Sequence, residues 1–195
     1  MEPGELLTLL KETGAMLEGH FLLTSGKHSD VYIEKFRILE NPSILDDVCQ
    51  EMAEIVKNDN VNLVLGAAIG GILISGGVGR HLGVKHIFSE RVNGRMKLRR
   101  GFYIAKGQRI VIVEDIITTG GSVVELIELV EEQGAEIIHV VNLVDRSTVD
   151  VDFGVPSTTL LNLPSESWEP ANCLLCKQGI AITQRGRTGK KMEAV

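Results

Sequence analysis

Ile110-Val111-Ile112-Val113-Glu114-Asp115-Ile116-Ile117-Thr118-Thr119-Gly120-Gly121-Ser122 decides how this chain is read. It opens as a continuous apolar run, the pattern of a strand buried in a parallel sheet. An acidic pair, two further apolar residues and a turn of hydroxyls and glycines follow, and then the periodicity of an amphipathic helix. Glycines let the backbone pack against an anion with no side chain in the way. Free N–H groups at a helix start, reinforced by the helix dipole, attract that anion, and threonine and serine hydroxyls add donors. The carboxylates at the strand end accept hydrogen bonds, which suits vicinal sugar hydroxyls. They repel a phosphate, so the phosphate belongs further along, over residues 118–122. A plainer alternative is a capping box of Ser122 with Glu125. It accounts for Ser122 and one glycine, but not for two threonines, a glycine pair and an acidic doublet together.

Over all of 110–122, without a gap, this stretch resembles the phosphoribosyl pyrophosphate motif of the type I phosphoribosyltransferases. The resemblance implies that Glu114 and Asp115 hold the ribose hydroxyls. It implies that Thr118, Thr119, Gly120, Gly121 and Ser122 form the 5′-phosphate cradle, and that Ile116 and Ile117 also belong to the phosphoribosyl pyrophosphate site.

The composition agrees with an α/β protein. The chain has 195 residues, 44% hydrophobic and only 4% aromatic, so one domain with a core of Leu, Ile and Val is expected. No run of eighteen apolar residues suggests a membrane span, and Met1–Glu12 does not read as a signal peptide. Three cysteines without a secretory signal point to a reducing, cytoplasmic setting. A net charge of −6 disfavours general nucleic-acid binding.

Along the chain, Glu5–Leu17 reads as a first helix and residues 20–34 as two extended pieces around Ser25-Gly26. Asn41-Pro42 starts a second helix, with Ile44, Val48, Met52 and Ile55 on one face. Strands are expected at 62–66, 85–89, 110–113, 136–144 and 158–163, and helices from Ile72 to Leu82 and after Ser122 to Gly134. Residues 90–101 read as a polar connection leading to a short extended piece at 102–105. Alternating strands and helices imply a mostly parallel twisted sheet flanked by helices; the resemblance implies that this is the type I phosphoribosyltransferase fold, in a single domain of residues 1–195. Residues 1–40 form its N-terminal helix and a small hood, 41–163 its core and 164–195 a tail of weak periodicity.

Four further constellations stand around the opening motif. Leu65–Gly71, LGAAIGG, is a second small-residue loop between a strand and a helix. Such residues also permit close helix–sheet packing, but two loops of this kind at neighbouring strand ends are where α/β sheets bind ligands. In the family this loop contacts pyrophosphate, which assigns Ala68 and Gly70; orotate enzymes often carry a lysine where Gly70 stands. Residues 91–100, RVNGRMKLRR, hold five basic residues and no acid. They read either as a solvated hairpin or as a lid that closes over a pyrophosphate. The resemblance implies a catalytic loop, with Arg91 as its leading arginine and Lys97 at the leaving group.

Gly19–Tyr32, GHFLLTSGKHSDVY, resembles the N-terminal signature of the orotate phosphoribosyltransferases at Phe21, Leu23, Ser25, Gly26, Ser29 and Tyr32. In that family the segment is a hood over the base, which brings in Lys27 and Tyr32; some members have lysine where Thr24 stands. Arg146, in LVDRS, follows a strand on the same sheet edge as the phosphate loops. In the orotate enzymes an arginine in this setting pairs with the base's carboxylate, and Thr118 also contacts the base. Cys173 and Cys176 form a CxxC pair, half of a zinc site. No second close Cys/His pair stands in the tail. Two chains contributing four thiolates, a redox pair and plain structural cysteines all remain open.

Taken together, the resemblance implies orotate phosphoribosyltransferase activity with Mg²⁺ entering on phosphoribosyl pyrophosphate, and a homodimer. A purine-base transferase would lack the 21–32 signature and Arg146 in its setting. A nucleic-acid-binding regulator on the same fold would need a basic face or an added domain.

Overall fold

The computed structural model describes residues 3–23 and 25–185; Thr24 lies outside them. The elements run α1 (Pro3–Glu12), β1 (Met16–Leu22), β2 (His28–Ile33), α2 (Phe36–Leu39), α3 (Pro42–Val56), β3 (Leu63–Ala67), α4 (Gly70–Leu82), β4 (Lys85–Val92), β5 (Arg95–Leu98), β6 (Arg109–Ile117), α5 (Gly121–Glu132), β7 (Glu136–Asp145), β8 (Ser157–Asn162), α6 (Leu174–Lys177) and β9 (Thr183–Gln184).

The central sheet has the strand order β5-β4-β3-β6-β7-β8. All its neighbours pair in parallel except the β4–β5 hairpin. In β6 the apolar run is buried and its side chains alternate between two cores. Val111 and Val113 face α1, α3 and α4, whereas Ile110 and Ile112 face α5 and the hairpin. This two-sided burial is why the strand reads as unbroken apolar sequence rather than as alternation. Strand order reverses between β3 and β6: the chain leaves β3 for β4 on one side and returns to β6 on the other. The loops after these two strands therefore flank a topological switch point, where open α/β sheets bind ligands.

Helix α3 begins as its sequence implies. Asn41 caps it by accepting from Ser43 N at 3.2 Å and Ile44 N at 3.3 Å, with Pro42 in the first turn. Helix α1 corrects the expected span of 5–17. It stops at Glu12, and Gly14 takes a left-handed φ of 69°. Leu17, placed by periodicity on the helix face, is instead in β1 opposite Tyr32.

The polar connection expected at 90–101 is mostly sheet. Strand β4 continues through Val92, turns at Asn93-Gly94 with positive φ at both residues, and returns as β5. Residues 102–105, expected as an extended piece, form no strand.

A second, three-stranded sheet of order β2-β1-β9 stands beside the core. Its third strand comes from the tail, with Phe21 opposite Thr183 and Leu22 opposite Gln184. His28 and Trp168 exchange both backbone hydrogen bonds at 2.8 Å, and Ser29 Oγ donates to Glu166 O at 3.1 Å. The hood is thus built from both ends of the chain. Residues 164–185 do not trail from the core as an independent tail.

Ile112 is fully buried in the centre of β6. Ile112→Ala removes contacts that the surrounding strands cannot replace, and unfolding in urea should show a loss of about 2–5 kcal/mol.

Candidate active site

Glu114 and Asp115 lie at the carboxyl end of β6, and both are buried. Successive side chains leave a strand on opposite faces, and Asp115 emerges toward α2 and α4. There its Oδ2 is 2.6 Å from Lys35 Nζ. This is an ion pair without hydrogen-bond alignment, so the buried Oδ2 keeps its acceptor capacity. Burial, together with the neighbouring Asp115 charge, pushes the Glu114 carboxyl up to about 8. Lys35 opposes that shift from across the site.

Gly70 explains how Asp115 fits. A Cβ on residue 70 would stand 1.6 Å from Asp115 Oδ2. With Asp115 in this rotamer, a side chain on residue 70 would have to displace the carboxylate. Gly66 and Gly71 meet in the second way expected of a small-residue loop, backbone against backbone. A Cβ on Gly66 would be 2.2 Å from Gly71 O. Ala68 is held by its N–H donating to Ser89 O at 2.9 Å, and the Ala68–Ile69 peptide is cis.

The turn after β6 forms a small concave cradle lined by Glu114 and by Ile116 through Val123. Gly120 is the N-cap of α5, with φ 75°, and no side chain caps the helix. The Ser122–Glu125 capping box does not form, so the first N–H groups of α5 are left facing the cradle. Glu125 binds the hairpin instead. Its carboxylate accepts both contacts from Arg91 Nη1, at 2.8 and 2.9 Å, and the Met96 N–H at 3.1 Å.

The hairpin is accordingly laid along α5. Arg91 also donates to Gly94 O, and Arg100 and Arg99 pair with Glu90. Lys97 is exposed, stands opposite Glu90 in the register and lines a groove between the hairpin and α5. The geometry brings Arg91 to the side of α5 and does not bring Lys97 over the chain's own cradle.

Arg146 is three-way bonded. Its backbone N–H donates to Ile117 O at 2.9 Å, its guanidinium donates to Ser165 Oγ at 2.6 and 2.9 Å, and Nη2 donates to Val31 O at 3.1 Å. It thereby joins the end of β6, the hood and the tail. Burial lowers its pKa somewhat, opposed by Asp30 and Tyr32. Tyr32, whose ring lies 5.6 Å from that of Phe21, is shifted upward by burial and by Glu34, and downward by Arg185 and Arg146. Lys27 is at the hood turn, where Nζ is 3.6 Å from Glu169 of the tail.

Two residues next to the acidic pair and the hood tyrosine are not marked by any sequence motif. Lys35 sits in no motif and is distant in sequence from the acidic pair that it neutralises. Arg185 approaches Tyr32 only because β9 joins the hood. The third cysteine, Cys49, belongs to the core, and burial pushes its thiol up to about 12.

The architecture and the cradle define a phosphoribosyltransferase fold. Residues 36–152 match the family model described as the phosphoribosyl transferase domain. Orotate phosphoribosyltransferase of Thermotoga maritima is 47% identical over 183 residues, 94% of this chain and 98% of that protein. That of Caldicellulosiruptor bescii is 44% identical over 190 residues, covering 97% and 100%. The crystal structure of orotate phosphoribosyltransferase from Aeropyrum pernix superposes with a TM-score of 0.68 at 27% identity, over 89% of this chain and 98% of that one. An adenine phosphoribosyltransferase from Rhodothermus marinus, at 20% identity and TM-score 0.64 over 82% of this chain and 99% of that one, shares the fold. The chain belongs to the phosphoribosyltransferases, in their orotate phosphoribosyltransferase branch.

The raised Glu114 pKa has a sign that can be checked. The folded state holds this proton more tightly than the unfolded chain does. Its contribution to stability is therefore full below the usual carboxylate range and is lost as pH rises toward about 8. Glu114→Gln, which cannot ionise, should raise the Tm at pH 8 and change it little at pH 5. The rise should be about 2–4 °C per kcal/mol of relieved repulsion, measured by scanning calorimetry of the ligand-free protein.

Proposed function

We propose that this enzyme transfers the 5-phosphoribosyl group from phosphoribosyl pyrophosphate to orotate, giving orotidine 5′-monophosphate and pyrophosphate in pyrimidine biosynthesis. The observation that carries the donor half is the buried Glu114–Asp115 pair beside an uncapped helix start. That arrangement offers acceptors for vicinal hydroxyls, and donors for a phosphate one loop further on. The acceptor half rests on Arg146, whose planar fork suits a carboxylate and which lies between Tyr32 of the hood and the end of β6.

Glu114 and Asp115 meet the ribose hydroxyls, and the Asp115 charge, joined by Glu114 when it is ionised, indirectly stabilises the positive charge that grows on the ribose as the C1–pyrophosphate bond breaks. Residues 118–122 anchor the 5′-phosphate, and the backbone at Ala68 and Gly70 meets the pyrophosphate. Lys35 holds Asp115 in place and tempers its charge. Arg146, Tyr32, Lys27 and Thr118 orient orotate so that its N1 faces C1. Because that nitrogen is presented already deprotonated, little acid–base chemistry is needed.

Two buried carboxylates against one ammonium suit a further cation. Mg²⁺ brought in with phosphoribosyl pyrophosphate would supply charge neutralisation at the leaving group, beside the acidic pair.

The hairpin is pinned along its own α5 by Glu125, away from the chain's own cradle. In a homodimer Arg91 and Lys97 serve the partner's site. The proposed setting is the cytoplasm, with small molecules rather than nucleic acid or membrane as partners. No helix among the described residues is long and apolar enough to cross a membrane.

A base panel tests the reading. With Mg²⁺ and phosphoribosyl pyrophosphate, orotate should be consumed while uracil, adenine and hypoxanthine are not. Consumption of another base with orotate intact would overturn it. Arg146→Ala should raise the orotate KM about 10- to 100-fold, the worth of a charged hydrogen bond, with a much smaller change for phosphoribosyl pyrophosphate. Equal losses for both substrates would remove its assigned role. Asp115→Asn should lower kcat by about 10²-fold in initial-rate assays, with the thermal transition retained.

A further inference from the structure

Four side chains from opposite ends of the sequence converge between the hood and the tail. His20 comes from β1, His28 opens β2, Cys173 precedes α6 and Cys176 lies within it. His20 Nε2 is 3.0 Å from His28 Nδ1, 3.4 Å from Cys173 Sγ and 3.7 Å from Cys176 Sγ. Cys176 Sγ is 3.3 Å from His28 Nδ1, and all four donor atoms lie within 4.8 Å of one another. We propose that these residues form a structural Zn²⁺ site, one per chain, that fastens the hood to the C-terminal segment.

Four of the six donor-atom separations, 3.0–3.7 Å, are close to those of a tetrahedral zinc site. Zinc bonds of about 2.0 Å to nitrogen and 2.3 Å to sulfur, at tetrahedral angles, separate the ligand atoms by about 3.3–3.8 Å. The donor set, two thiols and two imidazoles with no carboxylate, has the softness that zinc prefers. His20 is oriented for the role: its Nδ1–H donates to Ile180 O at 2.7 Å, which leaves the Nε2 lone pair aimed at the cluster. Four protein ligands complete the coordination, so the site is structural rather than catalytic.

Packing gives a reason for a metal at this place. Among the described residues from 164 onward, Cys173 alone is buried, and Leu174, Ile180 and Ile182 are exposed. The segment has almost no apolar core, and thiols are weak hydrogen-bond donors. A metal supplies the binding energy that such a segment lacks.

The expected half-site of Cys173 and Cys176 is therefore completed within one chain. The two imidazoles were invisible in the sequence because they lie some 150 residues away, in a different element. A second consequence rests on the transferase reading. The hood carries Tyr32 and the Val31 carbonyl that holds Arg146, so the metal sets the hood over the base.

The test uses the full chain, purified without a metal-binding tag from zinc-supplemented medium. Elemental analysis should find one zinc per chain, and the Cys173→Ser/Cys176→Ser double variant should hold none. Exchange with Co²⁺ should give tetrahedral d–d bands and a thiolate-to-cobalt charge-transfer band. Chelation should lower the Tm by roughly 5–10 °C, reversed by zinc. It should also raise the orotate KM about tenfold, with phosphoribosyl pyrophosphate less affected.

A cobalt spectrum without the sulfur band would overturn the site. So would zinc retained by the double variant, or Cys173 and Cys176 recovered as a disulfide in zinc-free protein whose Tm zinc does not change. A zinc-loaded protein inert toward orotate would instead overturn the transferase reading and leave the metal site standing.

Discussion

Two neighbouring carboxylates, Glu114 and Asp115, are buried at the end of a strand that is otherwise apolar, and the surrounding structure is arranged around that cost. Burying like charges side by side is unfavourable unless they are paired or neutralised. Strand geometry sends the two side chains to opposite faces. Lys35 arrives from the start of α2 to meet Asp115, and the Asp115 carboxylate lies in the space that a side chain on Gly70 would enter. Glu114 is left with a strongly raised pKa. A site held in this state favours a ligand that brings hydroxyl donors and positive charge.

The sheet topology places two glycine-rich loops around this pair. The switch in strand order between β3 and β6 puts two loops side by side, each leading into a helix. The absence of a side-chain cap on α5 is part of the same arrangement. Glu125, which would complete a capping box, is turned outward to hold the β4–β5 hairpin through Arg91 and Met96. The helix start is open because its N-cap is Gly120, and Glu125, one turn inside, fixes the position of the basic hairpin.

The hood shows how distant segments share one task. Strand β1 pairs with β2 on one side and with β9 on the other, Trp168 pairs with His28, and Arg146 ties the hood to the end of β6 and to Ser165. In the proposed reading, a hood over the base has to be firmly placed relative to the two loops. Here that placement depends on residues near both termini, with the His20, His28, Cys173 and Cys176 cluster at their junction.

The local order of residues was enough to determine the parallel core, the glycine-rich turn from β6 into α5, the cap at Asn41 and the place of the acidic pair at the end of β6. Each of these follows from periodicity, glycine stereochemistry or capping over a few consecutive positions. The first helix was drawn too long because Leu17 continues a helical apolar spacing across Gly14, and only pairing with β2 draws that residue into a strand. The hairpin at 91–100 was misjudged as a connection because its exposed edge strand carries charge rather than apolar alternation. Lys35 beside Asp115, Arg185 beside Tyr32, Glu125 on Arg91 and the completion of the cysteine pair by His20 and His28 were decided by the tertiary structure alone. These are contacts between residues far apart in sequence, and their geometry exists only once the sheets have closed the distance between them.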